Sequence, residues 1–320
     1  MRQTINKNKG KMYSGLEKKR FPYIYLCILL PVVQFIIFWG YVNIDSVLLA
    51  FQNRKGEFVL DNFVKVFNAF SGTDDYGFNV GTALKHSVTL WFFSEIVVYP
   101  IAVVSTYVLF KKVWGHYVFR TIFTLPGIIG SVIWVSVMRY MVAWDGPVLS
   151  LFSSLGIEMS PLVLDEGLLG SASTAFDTLI ALSLIGVVGG SVVLTGAFSR
   201  IPTQLFESAR IDGCGFWREF FNVALPCVGG TIATTQTFAL CSFFVADCNV
   251  YLYTLGTGEP DVATMGFYFY YLQNNVATAG LGKAAYNYPA ALGITISLMS
   301  IPIVYGGRWL LDKYLPAIEF

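Results

Sequence analysis

The side chains that could act as acid, base, nucleophile or metal ligand are scattered along this chain. His86 and His116 are isolated, and the five cysteines have no CxxC spacing and lie in or beside apolar runs. Such cysteines behave as small apolar residues, not as metal ligands or disulfides. The adjacent carboxylates Asp165 and Glu166 are better explained as loop charge than as a general acid and base. Because the GxxxxGK[ST], GxSxG and HExxH motifs are also absent, the sequence predicts no catalytic residue, no metal and no ATP hydrolysis by this chain.

The composition is that of a membrane protein. Hydrophobic residues make up 55% of the 320 residues and charged residues only 13%, whereas a soluble domain carries about a quarter charged residues. The chain therefore lacks the polar side chains to cover itself with a solvated surface. Its formal net charge of +1 gives no reason to expect a nucleic-acid partner.

Six apolar segments are long enough to cross a bilayer, which predicts an all-α integral membrane protein with six transmembrane helices. After a basic tail at residues 1–20, the segments cover about residues 21–41, 84–110, 117–142, 178–198, 228–253 and 289–311. The first segment is as long as a span and no cleavage site follows it, so it is not a signal peptide. Most of the 21 lysines and arginines fall in alternate connections, so we expect both termini and residues 199–227 to be cytoplasmic.

The most polar stretch between two long apolar segments is residues 207–226. Pro202 suits the first turn of a helix, and Asp212-Gly213 is a turn signal that ends this helix. A second short helix follows, with aromatic residues on one side and charged residues on the other: Trp217, Phe220 and Phe221, against Arg218 and Glu219. Pro226 is expected to close the loop. This pattern indicates a protruding amphipathic segment that binds another protein.

The same stretch resembles the cytoplasmic "EAA" loop of permease subunits in ATP-binding-cassette (ABC) importers. The pattern of that loop is Glu-x-Ala-x-x-x-Gly followed by Leu-Pro, and the matching residues are Glu207, Ala209, Gly213, Leu225 and Pro226. Asp212 matches the version found in sugar importers, and Ser208 replaces the usual middle alanine. The resemblance implies a coupling helix, within residues 202–226, that seats in a groove of an ATPase subunit. It assigns this role to Glu207, Ser208, Ala209, Asp212, Gly213, Phe216 and Trp217.

Three other segments also resemble motifs of this family. Residues 254–264 resemble the "L-T-x-G-G-P-x-x-A-T" loop of sugar-importer permeases, although Thr254 precedes Leu255 and Glu259 replaces the second glycine. Residues 60–63 resemble an "L-D-N-F" element that follows the first span in sugar permeases. Phe119-Arg120 with Leu125-Pro126 is similar to the start of the family's third span.

The resemblance implies a type I ABC importer permease fold over residues 21–320 and a location in the bacterial cytoplasmic membrane. It also implies a second permease that is a different chain, two ATPase subunits that bind ATP and Mg, and an extracytoplasmic solute-binding protein or lipoprotein. Membrane lipid and a carbohydrate are further expected partners, whereas we expect no nucleic-acid partner and no cofactor in this chain.

An oligosaccharide is the preferred cargo, because Asp212 and residues 260–264 match the sugar-importer versions. Sugars stack on aromatic faces and bind flanking polar groups, and the candidate residues with this chemistry are Gln236, Asp247, Asn249, Tyr251 and Tyr253 in the fifth span, and Trp134 and Tyr140 in the third. A monosaccharide, a polyol or glycerol phosphate is an alternative cargo.

Two other classes of protein remain open on the sequence. Glu95 lies within the second predicted span, where an ionisable residue is costly and either contacts another helix or serves function. Together with Asp247 it would be a coupling site if the chain were an ion-coupled carrier or a channel. A structural or receptor membrane protein is the third possibility.

Overall fold

The computed structural model describes residues 15–73, 78–157, 159–187, 192–247, 249–254, 262–278 and 282–315. Within these ranges the chain is helical and contains no strand, only an isolated bridge between Gln52 and Phe58. The α-helices are α1 Gly15–Phe35, α2 Val42–Ala50, α3 Asp61–Ser71, α4 Val80–Phe93, α5 Tyr99–Phe110, α6 His116–Ile128, α7 Ser131–Met141, α8 Pro147–Ser154, α9 Pro161–Glu166, α10 Ala172–Val187, α11 Val192–Ser199, α12 Thr203–Ile211, α13 Phe216–Glu219, α14 Leu225–Cys241, α15 Val250–Tyr253, α16 Met265–Thr278 and α17 Asn287–Tyr314. The predicted all-α fold is confirmed.

Several helices are joined end to end by short stretches of wider or tighter helix. Three are π-helical, at Ile36–Tyr41, Ser94–Val98 and Phe220–Ala224, and one is a 3₁₀ turn at Gly282–Tyr286. In the described part of the chain, four helical runs are long and apolar enough to cross a membrane: Tyr23–Ala50, Val80–Phe110, Phe216–Cys241 and Gly282–Tyr314. All exceed the roughly 20 residues that a bilayer requires, so the chain is an integral membrane protein.

Of the other two predicted spans, the third is not a single helix. In the third, α6 ends at Ile128 and α7 begins at Ser131, because Ile129 and Gly130 have extended ψ angles of 131° and 143°. In the fourth, α10 and α11 lie on either side of residues 188–191, which are outside the described residues. The structure thus provides helices in all six predicted regions.

The helical run in the region of the fifth predicted span has other bounds than expected. It begins at Phe216 and ends at Cys241, so the expected second short helix of the loop is the start of the spanning helix. Pro226 does not close the loop. A proline removes one backbone donor and clashes with the preceding turn, but the π-helical stretch Phe220–Ala224 widens the helix immediately before it. Pro100 likewise follows the π-helical stretch Ser94–Val98.

Two groups of buried side chains hold the helices together. The larger core extends over α3, α4, α7, α10, α16 and α17. The smaller core, which we call the foot, joins α5, α11, α12 and the run that contains α14, and consists of Val103, Tyr107, Leu194, Phe198, Ile201, Phe206, Phe220, Ala224, Val228 and Ile232. The foot therefore packs the predicted coupling loop against spanning helices.

Helix α3 is fixed to the end of α2 by one buried side chain. The Asn62 amide nitrogen donates to the carbonyl oxygens of Ala50, at 3.0 Å, and Gln52, at 2.8 Å. Asn62 is 8% exposed, so both carbonyls depend on it where water is scarce. Asn62 is the asparagine of the L-D-N-F element, which gives that element a structural role.

We expect Asn62→Leu to destabilise the protein by about 1–3 kcal/mol, because it leaves buried carbonyl oxygens without a donor. Thermal unfolding of the purified protein in detergent would measure the loss. The matched control is Asn68→Leu, on the same helix but exposed. Equal melting temperatures for the two variants would contradict the role of Asn62.

Candidate functional site: the coupling loop and the polar residues of the spans

The loop predicted to couple the chain to an ATPase is a helix, a glycine turn and the start of a long helix. Helix α12 ends in a left-handed turn at Gly213, where φ is +75°. The Cys214 amide donates to the Ala209 carbonyl at 2.9 Å and the Gly213 amide donates to the Arg210 carbonyl at 3.0 Å, which satisfies helix-end acceptors. The expected turn at Gly213 is therefore where the structure reverses the chain.

The two faces of the loop differ sharply in exposure. On the inner face, Phe206, which belongs to the foot, and Ala209 are each 6% exposed. The outward face carries most of the predicted coupling residues, which are exposed: Glu207, Ser208, Asp212, Gly213, Phe216 and Trp217. Ile211 is 86% exposed and Trp217 is 57% exposed. Large apolar side chains beside exposed charges give this face the composition of a contact surface for another protein.

A buried ion pair fastens the inner side of the loop. The Lys111 ammonium, at the end of α5, pairs with the Glu219 carboxylate at the end of α13. The Tyr107 hydroxyl donates to the same carboxylate at 2.8 Å, and the ammonium lies 4.5 Å from the centroid of the Phe206 ring. The side chains of Lys111 and Glu219 are only 14% and 5% exposed, so each charge depends on the other for its solvation.

Sequence reasoning missed this pair. It placed Glu219 on the polar side of a short helix and assigned no role to Lys111. A signal was present, because Glu219 lies three residues after Phe216 and four before Val223, the spacing of one helical face. A carboxylate at an apolar position of a helix is a candidate for burial with a partner.

Polar contacts continue along the same two helical runs. We call them the polar seam, formed between Val80–Phe110, extended by Lys111, and the antiparallel run Phe216–Cys241. Its pairs are Trp91 Nε1 to the Ala239 carbonyl at 2.8 Å, Glu95 with Gln236, Tyr99 Oη with Thr235 Oγ1 at 2.8 Å, and Glu219 with Tyr107 and Lys111. Among the described residues, Glu95 Oε2 is buried with no hydrogen-bond partner. The seam binds one run to the other at several levels.

One of the cargo residues that the sequence predicts lies in the polar seam. This residue is Gln236, whose side chain contacts Glu95 and Tyr99 between two helices. The other cargo candidates of the fifth predicted span lie beyond the end of α14. The Asp247 carboxylate accepts from Thr264 Oγ1 at 2.5 Å, and Thr264 Oγ1 accepts from the Phe267 amide at 3.2 Å, which fixes the start of α16.

The remaining predicted cargo residues lie in different places. Asn249 has a left-handed backbone, with φ of 60°, and immediately precedes α15. The Tyr251 ring lies 4.1 Å from that of Tyr270, measured between centroids. Trp134 packs against the larger core. Tyr140 lines a cavity of about 510 Å³ at the end of α7, which we call the α7 cavity. Tyr253 lines the same cavity, whereas the structure places the other candidates elsewhere.

Several known proteins are similar to this chain in sequence. No protein-family profile matches the chain. Protein LplB of Bacillus subtilis (strain 168) is 23% identical over 92% of this chain and 90% of LplB. The polygalacturonan/rhamnogalacturonan transport system permease protein YteP of the same organism is 24% identical over 96% of this chain and 92% of YteP. The probable ABC transporter permease protein YesP, also from that organism, is 27% identical, but the match spans 53% of this chain and 54% of YesP.

A solved structure has the same fold. A chain of a bacterial ABC transporter involved in the import of the acidic polysaccharide alginate superposes with a TM-score of 0.72, over 94% of this chain and 99% of that one, at 20% identity. This chain therefore has the fold of that ABC transporter chain and is similar in sequence to proteins named as transport permeases, such as YteP and YesP. On this similarity we call the chain the permease.

We expect Lys111→Met to destabilise the permease by about 3 kcal/mol, because it leaves the Glu219 carboxylate buried without its cation. The double variant Lys111→Met/Glu219→Gln should recover more than half of that loss. Unfolding of the purified permease by denaturing detergent would measure all three proteins. Lys112→Met, at the exposed neighbouring position, is the control. A double variant no more stable than Lys111→Met would count against the pair.

Proposed function

We propose that the permease forms half of the translocation pathway of an ATP-driven oligosaccharide importer. It binds a cytoplasmic ATPase through residues 202–226 and pairs with a second, different permease. The observation that carries the proposal is the two-faced coupling loop. Its outer face presents exposed carboxylates and aromatic rings, while its inner face is packed and ion-paired to spanning helices.

The contacts of the loop provide a route for mechanical coupling. Helix α12 is held to α5 through Phe206 and Lys111, and α13 continues without interruption into α14. A displacement of the outer face by ATPase closure is therefore passed to two spanning runs at once. Transport then requires a rigid-body change between inward-facing and outward-facing arrangements, powered by ATP and Mg in the partner subunits.

The cargo proposal rests on the relatives' names. They include YteP, the diacetylchitobiose uptake system permease protein NgcF of Streptomyces coelicolor and the probable starch degradation products transport system permease protein AmyD of Thermoanaerobacterium thermosulfurigenes. All three names refer to saccharides, so an oligosaccharide is the cargo class we propose. An extracytoplasmic binding protein delivers it, consistent with a solved relative in complex with a pentasaccharide-bound periplasmic protein.

The location and the cargo residues are also proposals. The permease lies in the bacterial cytoplasmic membrane with both termini and residues 199–227 inside. Gln236, Asp247, Asn249, Tyr251, Trp134 and Tyr140 are proposed to meet cargo during transport. For Gln236 and Asp247 this requires that the contacts with Glu95 and Thr264 open in another state of the transporter.

We expect Glu207→Ala to reduce uptake about tenfold, equivalent to about 1.4 kcal/mol of lost coupling, while ATP hydrolysis continues. Glu207 is exposed and makes no hydrogen bond or ion pair with the described residues, so folding should be unaffected. Gly213→Pro should have a larger effect, because proline cannot adopt the φ of +75° at this turn. Uptake and ATPase rates of the reconstituted transporter are the measurements.

The control for the loop variants is Asp165→Ala, an exposed carboxylate on the side proposed to be external. Normal uptake by both Glu207→Ala and Gly213→Pro would contradict the coupling role. Uptake that persists in cells without the ATPase subunit would instead favour an ion-coupled carrier or a channel.

A further inference from the structure

The α7 cavity lies where the end of α7 meets the start of α10 and the end of α15. Its volume is about 510 Å³, within the range of roughly 300–1,000 Å³ that is usual for small-molecule sites. Five of its lining residues are important for its chemistry: Arg139, Tyr140, Trp144, Glu166 and Tyr253. In the proposed topology this end of the permease faces the outside.

The walls of the α7 cavity are fixed by backbone contacts. The Leu168 amide donates to the Val142 carbonyl at 3.1 Å. Gly167 has φ of +79°, and a Cβ there would lie 2.9 Å from the Trp144 nitrogen. This close approach holds Glu166 beside the end of α7. Tyr253, from the larger core, is 6% exposed and forms part of the wall. The cavity is therefore preformed.

Arg139 is the residue that gives the α7 cavity its chemical preference. Its side chain is half-buried in the cavity wall. Within the described ranges, no hydrogen bond or ion pair engages its guanidinium. A partly desolvated cation without a counter-charge is costly, and a planar guanidinium binds a carboxylate through two parallel hydrogen bonds. An anionic ligand group would complete this site.

The other lining residues fit a sugar ring. Tyr140 is 62% exposed and Trp144 is 63% exposed, so their ring faces are open to stacking. Glu166 is also exposed and accepts hydrogen bonds from hydroxyl groups. Because Glu166 repels a second anion, the ligand that suits both charges has its carboxylate at Arg139 and hydroxyls at Glu166.

We propose that the α7 cavity is an entry subsite for the carboxylate-bearing end of an oligosaccharide, with Arg139 as the residue that selects the carboxylate. The inference rests on the proposed function, because the cargo must pass this permease. It goes further by naming an acidic sugar, a uronate, as the group that the permease itself recognises.

The experiment compares two probes of the same shape and different charge. Trigalacturonate carries carboxylates, and its methyl ester carries none. We expect the full-length permease in lipid nanodiscs to bind the acid at least about tenfold more tightly than the ester, detected by quenching of tryptophan fluorescence. Trp144→Phe should remove most of the quenching, because Trp144 lies in the cavity. Equal affinities, or quenching that survives in Trp144→Phe, would overturn the proposal.

The variants separate selection from folding. Arg139→Met should bring the two affinities to within about threefold, and Arg139→Lys should keep part of the preference, because it keeps the charge but loses the planar fork. Arg54→Met, an exposed arginine outside the cavity, is the matched control and should keep the full preference. An Arg139→Met permease with unchanged preference for the acid would refute the role of Arg139.

The same variants distinguish the failure of this inference from failure of the proposed function. ATP-dependent uptake by the reconstituted transporter, with no preference for acid over ester, would overturn only the entry subsite. Uptake that does not depend on the ATPase would overturn the importer function, whatever the probes bind.

Discussion

The ion pair between Lys111 and Glu219 is the interaction on which the arrangement of the coupling loop depends. If the outer face of the loop meets an ATPase as proposed, only its inner face can hold the loop in place. Apolar packing through Phe206 is not directional, whereas a buried ammonium and carboxylate, joined by the Tyr107 hydroxyl, permit one orientation. Burial makes the pair costly to separate, and this makes the loop a stiff attachment rather than a flexible connection.

The coupling loop is also joined covalently to the spanning helix α14. This connection depends on how the helix accommodates Pro226. Pro226 would interrupt a regular helix between the loop and the membrane. The π-helical stretch Phe220–Ala224 places the wide turn directly before it, so the run continues from Phe216 to Cys241. π-Helical insertions in α-helices are frequently found at functional sites. Here the insertion allows one continuous helix to include both the end of the coupling loop and a spanning segment.

Local signals predicted the parts of the structure that depend on local chemistry. Asp212-Gly213 predicted the turn, and the apolar runs predicted helices in all six regions. The partners of Glu219 and Asp247 depend on residues distant in the chain or across a loop, and no spacing rule identifies them. Helix α16 was missed because its buried residues, among them Met265, Phe267, Tyr268 and Leu272, are interspersed with tyrosines and glycine, so it does not read as a span.

The polar seam has a consequence for how the permease moves. Hydrogen bonds between helices in a membrane have little water to replace them, so breaking several at once is unfavourable. Trp91 and Ala239 hold one end of the two runs, and Lys111 and Glu219 hold the other. The two ends of the seam are therefore expected to stay closed, while the contact of Glu95 with Gln236 between them opens if Gln236 meets cargo as proposed. If the chain alternates between two arrangements as proposed, its hinge lies outside the seam, and the break between α6 and α7 at Ile129 and Gly130 is such a place. Helix α7 extends from this break to the α7 cavity, so a movement at the break would displace one wall of the proposed cargo entrance.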